Sequence, residues 1–166
     1  RDEARILFRS ALADNPRLRS ARLGLASCLY TAGEWDAAAA HVDQLLAENP
    51  KDADALGLRG LIAWRRGRLE EASDRISRAL DLQPESARLY KYLGVIEHSL
   101  GRTGSALDAM RRAAEFDPRD PEAHYNLAVL LATLDSPRLE EAKEHYEEAL
   151  RLGRSPNASL EAVLQP

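Results

Sequence analysis

Four histidines, one cysteine and several paired glutamates are the side chains of this chain best suited to moving protons, holding a metal or attacking a substrate. His41, His98, His124 and His145 are scattered and have no metal-ligand spacing with one another or with Cys28. Ser27 and Cys28 are adjacent, but nothing around them has the signature of a nucleophile elbow or a thiol site. Cys28 falls on the inward face of an expected helix, which makes it a small buried hydrophobe rather than a nucleophile. Glu70-Glu71 and Glu140-Glu141 stand at the starts of expected helices, where carboxylates complement the helix dipole. No Gly-rich phosphate loop follows a strand. Asn157-Ala158-Ser159 matches the glycosylation triplet, a pattern too short to carry weight alone. The expectation is a non-catalytic chain with no metal and no cofactor.

Bulk properties narrow the partners. Of 166 residues, 45% are hydrophobic and 30% charged, a globular rather than disordered balance. The formal net charge of -4 offers no bulk attraction to nucleic acid or to an anionic membrane, so no nucleic-acid partner is expected. A single cysteine excludes an internal disulfide framework. No apolar run is long enough for membrane insertion. The chain opens at Arg1 without an initiator Met, and the expectation is an excised or processed piece, with its compartment left open.

The elements that position these residues are set by a repeat. Pro16, Pro50, Pro84 and Pro118 recur every 34 residues. Small residues keep the same beat at Ala26, Gly60, Gly94 and Ala128, and again at Ala4, Ala38, Ala72, Ala106 and Ala142. Turn glycines recur at Gly33, Gly67 and Gly101, and large apolar residues at Phe8, Val42, Ile76, Met110 and Tyr146. Ala142 and Tyr146 join their columns once two extra residues are placed in the turn Asp135-Ser136-Pro137-Arg138. Each unit holds two apolar stretches at helical spacing, Ala21-Leu25-Leu29 and Ala38-Val42-Leu45 for example. Small columns let the two helices approach closely, and the proline stops the second helix. One such pair cannot bury its apolar face alone, so neighbours must stack. Arg59 and Glu97 interrupt columns that are otherwise apolar or small; the expectation is that each lays its stem along the surface and its charge in water, the alternative being that the two charges find each other or a nearby partner.

With these columns the sequence resembles the tetratricopeptide repeat (TPR) family, most clearly in Tyr90-Lys91-Tyr92-Leu93-Gly94, Gly101, Ala106 and Pro118. Asn126-Leu127-Ala128 with Glu141-Ala142, Tyr146, Ala149 and Leu150 follows the same pattern. The resemblance implies an all-α fold, a right-handed α-α superhelix or TPR solenoid of stacked antiparallel helix pairs. Full repeats are expected at 19–52, 53–86 and 87–120, with a longer repeat at 121–156 carrying the turn insertion. Residues 1–18 match the second helix of a truncated repeat. Residues 157–166 read as the start of a further or capping helix, with Ser155 as its N-cap.

The same resemblance implies where a partner binds. In this family the first helix of each pair lines a concave groove. Carried over column by column, the lining includes Tyr30, Trp64, Arg65, Arg88, Lys91, Tyr92, His98, Tyr125 and Asn126, against the acids Asp54 and Glu122. That mixture of aromatics and positive charge implies a protein or peptide partner, acidic or ending in a carboxylate, docked across the second to fourth repeats. It is not the chaperone-adaptor clamp. Lys91 and Asn126 match that motif, but Val95, Ala158 and Ala162 stand where its other polar residues belong.

Two alternatives accompany the interaction-scaffold reading. The array could be the regulatory or substrate-recruiting arm of a larger enzyme. Or it could self-associate as a homo-oligomer through its N-terminal helix, which leaves Ile6, Leu7, Phe8 and Leu12 without a pairing helix.

Overall fold

The computed structural model describes residues 2–165; Arg1 and Pro166, the outermost residues of the expected first and last segments, lie outside them. The described residues form ten α-helices and no strand. The chain divides into two compact units, Arg1–Pro84 and Glu85–Pro166.

The first unit contains α1 (Asp2–Asp14), α2 (Arg19–Thr31), α3 (Trp35–Glu48), α4 (Ala53–Arg65) and α5 (Leu69–Leu82). Helices α2 and α3 form one hairpin and α4 and α5 the next, while α1 packs on α2. The turns inside the hairpins depend on Gly33 and Gly67, whose φ values of 81° and 73° lie in the left-handed region that ends helices. Glu34 and Arg68 then donate their N–H groups back to Leu29 O and Ala63 O, both at 2.9 Å. Close packing within a hairpin is most exacting at Gly60. A Cβ there would lie 2.8 Å from Ile76 Cγ1 and 3.2 Å from Ala72 O, so the small column sits beneath both the alanine column and the large apolar one. Val42, Ile62 and Ile76 are fully enclosed, each worth about 1.5–3 kcal/mol in burial.

Three expectations change in this unit. Arg59 does not simply reach for water: its Nε lies 2.9 Å from Asp43 and its Nη1 3.1 Å from Glu71, because a guanidinium held at the surface of a core needs partners. Cys28 is half-buried, not enclosed. Of the four apolar residues on α1, Phe8 and Leu12 turn inward against the core, and only Ile6 and Leu7 are exposed.

The second unit contains α6 (Ala87–Ser99), α7 (Thr103–Phe116), α8 (Pro121–Ala132), α9 (Leu139–Arg151) and the short α10 (Ala158–Leu164). Its hairpins are α6 with α7 and α8 with α9, and α10 packs on α8 and α9. The two-residue insertion is absorbed in the α8–α9 turn, where Arg138 N–H reaches Leu131 O at 3.0 Å without a glycine. Met110, Leu127 and Leu131 are enclosed within the unit's core. Glu97 also departs from its expected exposure. It is buried and ion-paired with Arg102 just past the end of its own helix, 3.6 Å away. The last helix begins later than expected: its cap is Asn157, not Ser155, and Asn157 Oδ1 accepts from Leu160 N–H at 3.0 Å.

Candidate functional site

In the first unit the candidate residues meet at the C-terminal ends of α2 and α4. The Arg65 guanidinium sits 5.1 Å over the Trp64 ring and 5.9 Å from the centre of the Tyr30 ring, and its Nε donates to Tyr30 Oη at 3.1 Å. Trp64 and Tyr30 are half-buried and Arg65 is exposed. Stacking fixes the orientation of a cation that still faces solvent.

In the second unit Arg88, Lys91, Val95 and His98 follow one another at helical spacing along one face of α6. A cleft of about 70 Å³ opens between α6 and α8, lined by Gly94, Val95, His98, Met110, Asn126, Val129 and Leu130. Its floor is apolar, and His98 and Asn126 supply the polar groups. Arg88 and His98 are exposed, and Tyr92 and Asn126 half-buried.

Not every expected residue is equally available. The Lys91 ammonium is engaged by Asp120, the N-cap of α8. Tyr125 belongs to the packing of the last helices: Arg154 lies 4.2 Å over its ring, and its hydroxyl accepts from Asn157 Nδ2 at 3.0 Å. The acids expected to oppose the groove are neutralised as well, Asp54 by Arg19 at 2.9 Å and Glu122 by Arg154 at 2.8 Å. Among the described residues the candidates Arg65 and Arg88 make no ion pair, and the charge they add to these faces is positive.

The capping acids show what fixes this arrangement. Arg19 holds the Asp52 carboxyl below its ordinary range, reinforced by the Ala55 N–H. Burial alone would raise the Asp120 carboxyl, but the Lys91 hydrogen bond and the Glu122 N–H more than offset it, and the net shift is downward.

One pairing was missed in the sequence. His124 and His145, which read as scattered, meet with their Nδ1 atoms 3.0 Å apart. The register held the signal. His124 shares a column with Arg22, Leu56 and Tyr90, and His145 shares one with His41 and Arg75 once the insertion is counted. In the first unit the corresponding His41 is lowered by burial and by Arg22 and Arg9. Among the described residues, no group of three or more His, Cys, Asp or Glu could hold a metal ion. No helix there is long and apolar enough to cross a membrane.

Helix hairpins packed in series, with turns set by glycine and stops set by proline, define a helical-repeat protein. Profiles of the tetratricopeptide repeat match residues 1–62, 58–121 and 106–159. The chain belongs to the tetratricopeptide repeat family. No curated protein matches the sequence. Solved structures do. PilF of Pseudomonas aeruginosa is 23% identical with a TM-score of 0.85, the match covering 98% of this chain and 72% of that one. TTC0263 of Thermus thermophilus, a thermophilic TPR protein, is 25% identical with a TM-score of 0.78, covering 98% and 88%. YrrB, described as a TPR protein with an unusual peptide-binding site, is 25% identical with a TM-score of 0.74, covering 88% and 74%. These likenesses establish an all-α TPR solenoid fold.

Proposed function

We propose that this chain is a non-catalytic interaction scaffold whose first helices take an extended or helical segment of a partner protein, acidic or ending in a carboxylate. The observation that carries this reading is the α6–α8 cleft. It joins an apolar floor to the Asn126 side chain, which makes no hydrogen bond among the described residues and is free to serve a peptide backbone. Arg88 on the same helix as Val95 and His98 supplies positive charge. The Trp64–Arg65–Tyr30 cluster is a second anchor of the residue types that dominate interfaces. The peptide-binding site of YrrB supports the reading as a likeness within one family.

The test is selection from a displayed peptide library, followed by affinity measurement for Trp64→Ala, Arg88→Glu and Asn126→Ala. Arg88 is a cleaner probe than Lys91, whose reversal would set a carboxylate beside Asp120. A peptide held in the α6–α8 cleft should be weakened about tenfold or more by Arg88→Glu and Asn126→Ala, and one held by the first unit's cluster by Trp64→Ala. Unchanged affinity in all three defeats the groove reading.

A second reading, self-association, draws on Ile6 and Leu7, which are 65% and 69% exposed on adjacent positions of α1. Sedimentation at two concentrations, with Ile6→Lys/Leu7→Lys as control, decides it. The enzyme-arm alternative draws on no feature of either unit.

A further inference from the structure

His124 and His145 are placed as a pair whose two rings can hold only a limited number of protons. His124 is 8% exposed, and its Nε2 lies 3.1 Å from the carbonyl oxygen of Pro118, in the turn between α7 and α8. A carbonyl only accepts, so His124 Nε2 carries the hydrogen. In the neutral ring its Nδ1 is then a lone pair, and the 3.0 Å contact requires His145 Nδ1–H to donate to it. His145 is thereby fixed as the Nδ1–H tautomer, with Nε2 as its open basic nitrogen. The rings lie 5.2 Å apart between centroids, tilted by 32°.

The proton count follows from that geometry. A first proton can enter at His145 Nε2 and leave the bond between the rings intact. A second must take His124 Nδ1, the acceptor itself, which abolishes the bond and sets two cations about 3 Å apart. Once the rings separate, each takes its own proton.

We propose that the His124–His145 pair is an acid-sensitive latch, closing α8 onto α9 and onto the turn that precedes α8, and opening when both imidazoles become charged. The other charges facing it leave this balance in place. Arg111 on α7 opposes protonation of His145, while Glu141 and Glu144 on α9 favour it. Glu141 is engaged by Arg111 at 2.6 Å, and Glu148, which feels both rings, is engaged by Arg151. Burial and then the His124 ring dominate, and His145 titrates below its ordinary value. Because α8 also carries Asn126, acid would loosen the face assigned above. That coupling rests on the proposed function; the latch itself does not.

The experiment is long-range ¹H–¹⁵N correlation of the imidazoles in the ¹⁵N-labelled chain from about pH 8 down to 4.5, with EDTA present, alongside urea unfolding of wild type and His124→Gln across the same range. The expected result is His124 protonated at Nε2 alone and His145 at Nδ1 alone at high pH. His124 Nδ1 should stay free of a proton for as long as α8 amides remain protected. Below about pH 6.5, where free imidazoles charge, His124 alone should raise the open population toward tenfold per pH unit, and His145 adds to this while it is still neutral in the closed pair. The glutamine of His124→Gln supplies an acceptor oxygen that takes no proton, so that variant should lose this extra slope. Both rings in the Nε2–H tautomer at high pH, a doubly charged pair in a chain with protected α8 amides, or an undiminished slope in His124→Gln would each overturn the latch. Should His124→Gln fail to fold, the wild-type tautomers and proton count still decide.

Discussion

Arg19 clasps Asp52 with two hydrogen bonds of 2.6 Å, from Nε and Nη2, while the same carboxylate accepts from Ala55 N–H to cap α4. One acid thus ends the turn after α3, starts α4 and ties α4 to the first residue of α2. Asp120 repeats the device in the second unit, capping α8 and receiving Lys91 from α6. In both units the adjacent first helices, which carry the candidate binding residues, are registered by a charged cap.

Asp52→Ala should lower stability by about 2 kcal/mol. A lost cap accounts for about 1 kcal/mol, and the remainder is a charge-assisted pair discounted because Arg19 is half-exposed. Asn caps as well as Asp, so Asp52→Asn should lose only the second part. Urea denaturation of both variants separates the contributions. Equal losses would show that the cap contributes nothing.

Acid should weaken both units through these same groups. Asp52, Asp120 and Glu141 all have folded-state pKa values below their ordinary ones. A depressed carboxylate contributes stability that is fully present above its unfolded pKa, near about 4, and is lost as pH falls through the lower folded value. Unfolding free energy should therefore drop steeply from about pH 4 downward, and Asp52→Asn should flatten that decline. A parallel decline in the variant would assign the acid sensitivity elsewhere. Free imidazoles charge from about pH 6.5, above this range, so the two effects separate.

The fold was legible because it is written in backbone-determining residues. Gly33, Gly67 and Gly101 occupy the left-handed region that their spacing requires, and the large apolar column from Val42 to Tyr146 is enclosed. The candidate site was legible only as columns. A column places Lys91 or Tyr125 on the right helix but does not say whether another side chain has claimed it. Asp120 and Arg154 lie 29 residues further on in each case, and nothing local marks them as partners. Glu97 and Arg59 follow the alternative rather than the default for the same reason: snorkelling suits a lone long side chain, and each has a nearby partner. The histidine pair was hidden because His124 and His145 stand in different columns, and columns do not say which side chains of facing helices meet.

Gly60→Ala and Gly94→Ala should behave differently although the two glycines are equivalent in the repeat. Each gains about 1 kcal/mol in helix propensity. At Gly60 the new methyl meets Ile76 Cγ1 at 2.8 Å and Ala72 O at 3.2 Å, a stiff β-branched side chain and a backbone oxygen. At Gly94 its three nearest neighbours all belong to Met110, the adaptable side chain of hydrophobic cores. Gly60→Ala should therefore be net destabilising by about 1–2 kcal/mol, and Gly94→Ala near neutral. Thermal or urea unfolding compares them. The reverse order would mean that the hairpin backbone, rather than the side chain, yields.

Tyr146→Phe should loosen α10 without unfolding the unit. The hydroxyl accepts from Asn157 N–H at 2.7 Å and donates to Glu161 Oε1 at 3.0 Å, so one buried group holds both the cap and the second turn of a seven-residue helix. Burial, with Glu161 beside it, raises the Tyr146 pKa, and the hydroxyl stays protonated and able to donate at neutral pH. Phe keeps the ring in the core against Tyr125, so apolar burial is nearly unchanged. What is lost is the restraint on Asn157, worth about 1–2 kcal/mol locally. So short a helix has little stability of its own. Amide exchange should therefore quicken by roughly tenfold or more at Leu160 and the residues that follow, while α8 and α9 keep their protection. Glu161→Gln, which preserves an acceptor, should reproduce little of this. Unchanged exchange in α10 of Tyr146→Phe would show that Leu160 and Leu164 alone dock the helix.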